Sequence, residues 1–330
     1  MTTLAPYVMR SAPHFVRKVW GGRKLATAFH KRLPDDARYG ESWEVADLPS
    51  GASRIANGSL AGRTLTDAVA LLGDALLGTH APNPERFPLL VKLLDARDDL
   101  SVQVHPGERH LHLFEGARSK DECWLILHAD PGASVLHGCR EPMDRATFAR
   151  RATDGTLVDA LRRVPVSPGD VLRIAPGTVH SICAGVALLE IQQPSNTTFR
   201  LYDYQRPGLD GRMRPLHLQE GCQVCCMEQA KDQVTLTPTA RDHDGVEVLE
   251  LVTTPSYCVE ALTLPDAPMT WRIAPQSVQV VYIKSGTCVL GEERFTRGET
   301  AILPASLGSV RASGPGAALV VSGVCGPLVA

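Results

Sequence analysis

The chain has 330 residues, enough for a large hydrophobic core or for two packed units. It has 34 lysines and arginines and 36 aspartates and glutamates, so its net charge of −2 offers no basic field to hold a nucleic-acid backbone. No basic cluster followed by an apolar run starts the chain, and no stretch approaches about 18 uninterrupted apolar residues. We therefore expect a cytoplasmic protein with reduced cysteines and neither a nucleic-acid nor a membrane partner.

Short runs of valine, leucine and isoleucine between glycine- and proline-rich turns predict a mainly β protein with many strands. In the first two thirds of the chain, strands are predicted over residues 88–94, 100–104, 122–127, 134–137, 171–174 and 186–191. Apolar residues at helical spacing predict two inserted helical stretches, at about 64–78 and 144–164.

A polar segment at about 229–244 indicates a boundary between a domain of residues 1–235 and a smaller C-terminal β domain of residues 236–330. In the second domain, strands are predicted over residues 246–252, 257–262, 278–283, 286–290, 300–303 and 317–321. Residues 297–308 weakly echo residues 168–180 but lack the histidine of the earlier copy. The echo indicates a second, structural barrel, and chance similarity between turns is the alternative.

Polar residues alternate with valines in the strand predicted at 100–104. Ser101, Gln103 and His105 share one face, and Val102 and Val104 share the other. An inward polar face costs desolvation free energy unless its groups bind something, and an amide oxygen and an imidazole two residues apart can reach one cation. A solvent-facing edge strand is the alternative interpretation.

Two later residues could complete a metal site. Glu122 is the carboxylate nearest to the point where a charged segment turns apolar, and His180 follows a tight turn. Taken singly, they could be a solvated strand-end charge and a hydrogen-bonded core histidine. Together with Gln103 and His105 they form a ligand set suited to zinc. The ligand set carries a single negative charge, so the bound ion would keep a net positive charge and remain a good Lewis acid.

The segment 188–206 adds charged groups beside this set. Glu190 and Gln192 share one strand face, and Arg200 and Arg206 follow them. Fixed arginine charge suits a phosphate or a developing enolate oxygen. Ordinary solvated arginines on a surface loop are the alternative interpretation.

Several of these segments together resemble the type I phosphomannose isomerases in their short bacterial form. The likeness covers roughly residues 10–225 and lies in residues 19–22, 40–44, 87–95, 100–106, 120–124, 176–180 and 190–206. The sequence departs from the usual family pattern at Asp121 and Cys183.

The resemblance implies two cupin jelly-roll barrels, of which the N-terminal one carries a single zinc ion. The implied zinc ligands are Gln103, His105, Glu122 and His180. By the same resemblance, the catalytic residues are Arg200, Lys120 and Glu190, and the substrate-binding residues are Ser101, Lys120, Arg200 and Arg206.

The implied reaction interconverts mannose 6-phosphate and fructose 6-phosphate through an enediol. The base stays open among Lys120, Glu190 and water at the metal. We expect the protein to be a monomer or a homodimer. Its expected partner is a small-molecule substrate, a sugar phosphate. The alternatives are a cupin metalloenzyme acting on another sugar phosphate and a non-catalytic, sugar-binding regulatory cupin.

Overall fold

The computed structural model describes residues 5–230, 234–324 and 326–329. Strands dominate these residues, which confirms the predicted mainly β class. The strands of the first part are β1 Met9–Ala12, β2 His14–Val16, β3 Glu41–Val45, β4 Asp47–Leu48, β5 Gly51–Ala52, β6 Arg54–Ile55, β7 Leu90–Asp95, β8 Val102–Val104, β9 Glu122–Ala129, β10 Ser134–Cys139, β11 Leu161–Pro165, β12 Val171–Ile174, β13 His180–Ile182, β14 Val186–Gln192 and β15 Phe199–Tyr202. The later strands are β16 Thr239–His243, β17 Val246–Thr253, β18 Cys258–Thr263, β19 Met269–Arg272, β20 Gln279–Ser285, β21 Thr287–Leu290, β22 Glu293–Thr296, β23 Thr300–Leu303, β24 Ser309–Ser313 and β25 Ala318–Gly323.

The helices are short. They are α1 Lys24–Thr27, α2 Leu65–Leu72, α3 Asp74–Leu77, α4 Arg145–Asp154, α5 Leu157–Ala160 and α6 Leu218–Val224, with single 3₁₀ segments at Gly58–Leu60, Glu108–Leu113 and Ala305–Leu307. Among the described residues, no helix combines the length and the apolar character that a membrane span requires.

Most strands belong to two pairs of sheets. In the first half of the chain, a six-stranded sheet of order β12-β9-β14-β7-β3-β2 packs on a five-stranded sheet of order β11-β10-β13-β8-β15. In the second half, an eight-stranded sheet of order β16-β17-β18-β25-β20-β23-β1-β6 packs on a four-stranded sheet of order β19-β24-β21-β22. The short strands β4 and β5 pair separately.

Both faces of the six-stranded sheet are covered, so its strands are apolar on both sides. On β9, Cys123 and Leu125 point into the largest core, towards the eight-stranded sheet. Trp124 and Ile126 point the other way and pack with Ile182 of the five-stranded sheet. The second interface holds the candidate site.

Helices α4, α5 and α6 cover the outer face of the five-stranded sheet. Phe148 of α4 and Leu157 of α5 pack in one cluster with Val102 and Val104 of β8. Because side chains alternate along a strand, this packing turns Gln103 towards the six-stranded sheet. The apolar outer cluster thus determines which way the polar face of β8 points.

The two halves of the chain share strands and core. Strand β1 pairs with β23 on one side and with β6 on the other, so the N-terminal residues lie in the eight-stranded sheet. The largest core brings Leu93 and Leu189 of the six-stranded sheet together with Tyr257 and Val280 of the second half. The halves therefore pack as one hydrophobic unit.

The helix predicted over 144–164 is wrong beyond residue 160. Helix α4 ends at Gly155, whose φ of +83° is left-handed, and α5 adds one turn. Residues 161–165 then form β11, which pairs with β10. Strand pairing with a distant segment overrides the local helical spacing here. The stretch 64–78 likewise divides into α2 and α3 at Gly73.

The echoing segments 168–180 and 297–308 lie at equivalent places in the two halves. In the first, the chain passes from β12 in the six-stranded sheet through a turn to β13 in the five-stranded sheet. In the second, it passes from β23 in the eight-stranded sheet to β24 in the four-stranded sheet. The topology therefore supports a repeated unit. Of the polar segment 229–244, residues 231–233 lie outside the described residues and 239–243 form β16.

Candidate metal and substrate site

Three buried side chains converge between the two sheets of the first half. His105, Glu122 and His180 each offer a ligand atom, and these atoms lie within 4.8 Å of one another. At most 1 % of each residue is exposed. In the part of the chain that the structure describes, no other set of three histidine, cysteine, aspartate or glutamate side chains meets this geometry.

Both histidines are oriented by hydrogen bonds to backbone carbonyls. His105 Nδ1 lies 2.9 Å from the Thr197 carbonyl oxygen, and His180 Nδ1 lies 2.9 Å from that of Thr178. A carbonyl oxygen only accepts, so each Nδ1 carries the proton and each Nε2 keeps its lone pair. The Nε2 atoms lie 3.7 Å and 3.3 Å from Glu122 Oε1, respectively. Three electron-rich atoms therefore face one centre.

The protonation states favour cation binding. Burial lowers the pKa of His180 to about 3, and burial together with Lys120 lowers that of His105, so both rings are neutral at pH 7. Burial opposes ionisation of Glu122, but the Lys120 ammonium holds its pKa well below the usual range. Glu122 Oε1 is buried without a hydrogen-bond donor, and Oε2 has the Lys120 ammonium beside it. These residues fit a divalent metal ion.

Gln103 lies beside the three-residue group. It is paired with His180 across β8 and β13, and its Nε2 is 3.2 Å from His180 Nε2. Its Oε1 is 3.4 Å from Ser101 Oγ. A half-turn of the amide would bring the oxygen to the side of His180, where it could act as a fourth ligand.

Lys120 lies between the candidate metal group, formed by His105, Glu122 and His180, and an open cavity. Its Nζ is 2.5 Å from Glu122 Oε2 and 3.1 Å from His105 Nε2, and the residue is 4 % exposed. The ammonium offsets the charge of the buried carboxylate. Lys120 also lines a cavity of about 290 Å³ between the sheets. The metal group is therefore one side chain away from a space that can admit a small molecule.

Most of the predicted site residues line the cavity. Its walls include the predicted residues Ser101, Gln103, Lys120, Glu190 and Arg200. Five basic and two acidic side chains line it. This excess of positive charge suits an anionic small molecule.

Strand register explains the position of Glu190. On β14 it stands between Lys92 of β7 and Trp124 of β9. Lys92 Nζ lies 3.0 Å from Glu190 Oε2, and Trp124 Nε1 donates to Glu190 Oε1 at 3.2 Å. Burial raises the pKa of Glu190, and Lys92 partly offsets this effect. The carboxylate is held firmly and faces the cavity.

Arg200 and Arg206 have different environments. Arg200 lines the cavity and donates from Nη1 to the Pro215 carbonyl oxygen at 2.9 Å. Arg206 binds Asp203 at 3.1 Å, and its guanidinium carbon lies 5.4 Å from the centre of the Tyr204 ring. Arg206 is not among the residues that line the cavity. Its predicted role in substrate binding stays a prediction.

Four charged residues of the cavity wall are absent from the predicted site: Lys18, Glu41, Lys92 and Arg214. Lys92 carried a signal in the sequence, because it interrupts the apolar run of β7; in the structure it is only 5 % exposed. The other three stand in or near turns, where charged residues are common. Their sequence context therefore did not distinguish them from solvated surface charges.

Paired β-sheets around a buried histidine–carboxylate group, with a basic cavity beside it, define a metal-binding protein of the cupin type. The family model for the type I phosphomannose isomerase catalytic domain matches residues 8–123. The mannose-6-phosphate isomerase of Streptococcus mutans is 32 % identical over 306 residues, which cover 92 % of this chain and 94 % of the relative. The chain belongs to the mannose-6-phosphate isomerase family.

Solved structures agree with this assignment. The crystal structure of the Bacillus subtilis mannose 6-phosphate isomerase matches with a TM-score of 0.85 and 26 % identity, over 96 % of this chain and 99 % of the other. A zinc-bound mannose 6-phosphate isomerase shares the fold, with a TM-score of 0.76 and 19 % identity over 96 % of this chain and 98 % of the other.

Proposed function

We propose that this chain is a zinc-dependent isomerase that interconverts mannose 6-phosphate and fructose 6-phosphate. One observation carries the proposal: a buried group of metal-ligand atoms adjoins a cavity with an excess of basic side chains. Family membership supports the choice of substrate, because the relatives bear the name of this activity.

The proposed zinc ligands are Gln103, His105, Glu122 and His180. Two neutral imidazole nitrogens and a carboxylate oxygen are donors that zinc accepts well, and an amide oxygen completes the set. The zinc-bound structure of an isomerase with the same fold supports the identity of the metal. When bound, zinc would act as a Lewis acid on an oxygen of the sugar.

The proposed reaction moves one proton between carbons 1 and 2 of the sugar and a second proton between the oxygen atoms that these carbons carry. Going from aldose to ketose, a proton leaves carbon 2, an enediol forms, and a proton returns to carbon 1, while a second proton moves from the oxygen on carbon 2 to that on carbon 1. Lys120 and Glu190 face the cavity and are the groups that we propose carry the proton. Arg200 supplies positive charge to the anionic substrate, and Ser101 contacts the sugar.

A coupled assay on mannose 6-phosphate, with and without a chelator, tests substrate and metal together. We expect turnover that stops after chelation and returns with one equivalent of zinc. Full activity of the metal-free chain would contradict the zinc requirement. Iron with oxygen consumption, or turnover of a different sugar phosphate alone, would replace the proposed reaction with another.

A further inference from the structure

The cavity extends away from the metal group along the five-stranded sheet. His180 of β13 is paired with Gln103 of β8, and Gln103 is paired with Arg200 of β15. Neighbouring strands lie about 4.8 Å apart, so Arg200 stands about 10 Å across the sheet from the strand of His180. Strand β15 is the edge of this sheet. Residues beyond it form the end of the cavity that is remote from the metal.

Arg214 reaches this remote end from the loop after β15. It lines the cavity, and it is held by Asp203 through two hydrogen bonds, from Nε at 2.6 Å and from Nη2 at 2.5 Å. Asp203 is only 4 % exposed, so the pair is anchored to the protein interior. A bidentate contact of this kind orients the planar guanidinium.

Two guanidinium groups meet at this end with little compensating charge. The pKa of Arg200 is lowered by burial and by its neighbour Arg214. Arg200 Nε is buried without a hydrogen-bond partner. Asp203 is already shared between Arg206 and Arg214. Converging cations with an unused donor form a site whose natural complement is an oxyanion.

We propose that Arg214, together with Arg200, binds the phosphate group of the substrate and determines the preference for a phosphorylated sugar. The inference rests on the proposed function. An open hexose chain separates its carbonyl end from the phosphate on carbon 6 by a length comparable to the distance across these strands. With the carbonyl end at the metal, the phosphate reaches the two arginines.

The test compares Arg214→Ala with Arg212→Ala, which removes an exposed arginine from the same loop. For Arg214→Ala we expect KM for mannose 6-phosphate to rise about 10- to 100-fold, with a much smaller change in kcat. The inhibition constant for inorganic phosphate should rise by a similar factor. Arg212→Ala should match the wild type in both.

Zinc content and melting temperature establish that each variant is folded and loaded. If Arg214→Ala does not fold, Arg214→Lys is the alternative variant, because it keeps the charge but cannot make the two parallel hydrogen bonds of a guanidinium. An intermediate rise in KM is expected for it. Unchanged KM and phosphate inhibition in a folded, zinc-loaded Arg214 variant would overturn the inference.

Failure of the proposed function would look different. In that case the wild type would not turn over mannose 6-phosphate, and calorimetric titration of the zinc-loaded chain with inorganic phosphate would still measure the role of Arg214. Weaker phosphate binding by Arg214→Ala than by Arg212→Ala supports the anion site, and equal binding rejects it.

Discussion

Each histidine of the metal group is oriented by a hydrogen bond from Nδ1, the ring nitrogen that points away from the centre of the group. The carbonyl acceptors of His105 and His180 are backbone atoms, so the tautomer is determined by chain geometry and not by a mobile side chain. Burial keeps both rings neutral. The cost of burying Glu122 among them is offset by Lys120 and, on our proposal, by the metal ion.

Removing either ring should remove the metal. We expect His105→Ala and His180→Ala each to weaken zinc binding by more than about 100-fold, because each deletes a ligand and not only its support. Zinc content after dialysis measures the effect. His128→Ala is the control, since His128 lies on the same strand as Glu122 but is partly exposed and contacts Asp130. Stoichiometric zinc in both ligand variants would refute the proposed site.

Glu41 gives a pH-dependent test. Although its burial favours the neutral form, Lys18 and Lys92 lower the pKa of Glu41 to about 2. A carboxyl with a depressed native pKa contributes stability above its unfolded pKa, and this contribution is lost as pH falls towards the native value. The wild-type advantage over Glu41→Gln in free energy of unfolding should shrink by about 1 kcal/mol between about pH 6 and pH 3.5. Urea titrations at both pH values measure it, and a constant difference would contradict the shift.

The turn between β12 and β13 aims His180 into the site. At its centre Gly177 has a φ of +89°, donates from its N–H to the His105 carbonyl oxygen at 2.9 Å, and accepts from the Cys226 N–H at 2.8 Å. A Cβ at this position would stand 2.9 Å from the Val224 carbonyl oxygen. The turn therefore needs glycine for its backbone conformation and for a close approach to the end of α6.

Gly177→Ala should lower the free energy of unfolding by about 2 kcal/mol and weaken zinc binding, because the turn must move. Gly169→Ala is the matched control. Its φ of +101° imposes a similar conformational cost, but a Cβ there meets nothing within 4 Å. We expect a loss of about 1 kcal/mol and unchanged zinc affinity for this control. Equal zinc affinities in the two variants would show that the close approach does not matter for the site.

At the scale of the molecule, the second half of the chain supports the segment that leads into β9, the strand that begins with Glu122. The Tyr257 hydroxyl lies 3.0 Å from Asp121 Oδ1, and Arg173 donates to the same carboxylate at 3.2 Å and 2.5 Å. Asp121 stands between Lys120 and Glu122 in the chain. Asp121, where this sequence departs from the usual family pattern, is thus contacted by residues from both halves of the chain. The division of the chain at residue 235 stays a prediction about domains.

Tyr257→Phe removes this link and keeps the ring. The loss should cost about 1–2 kcal/mol of unfolding free energy, because the hydroxyl is a buried partner of a charged group. Chemical denaturation measures it, and a double-mutant cycle with Asp121→Asn isolates the pair. Strictly additive effects of the two substitutions would mean that the hydrogen bond contributes nothing.

The sequence by itself determined the features that depend on neighbouring residues. Strict alternation indicated that Gln103 and His105 share a face, and valine-rich runs indicated the strands, because side-chain direction and burial follow the local backbone repeat. The turn before His180 was recognisable for the same reason. Glu122 was indicated by the change from a charged to an apolar segment, and the family resemblance implied the same four ligands.

Only the tertiary structure decided which distant segments meet. The pairing of β10 with β11 converted a predicted helix end into a strand, and sheet order carried Arg214 to the remote end of the cavity. The contact between Tyr257 and Asp121 joins residues far apart in the chain. Such contacts depend on strand order and on the packing of whole sheets, which no local pattern encodes.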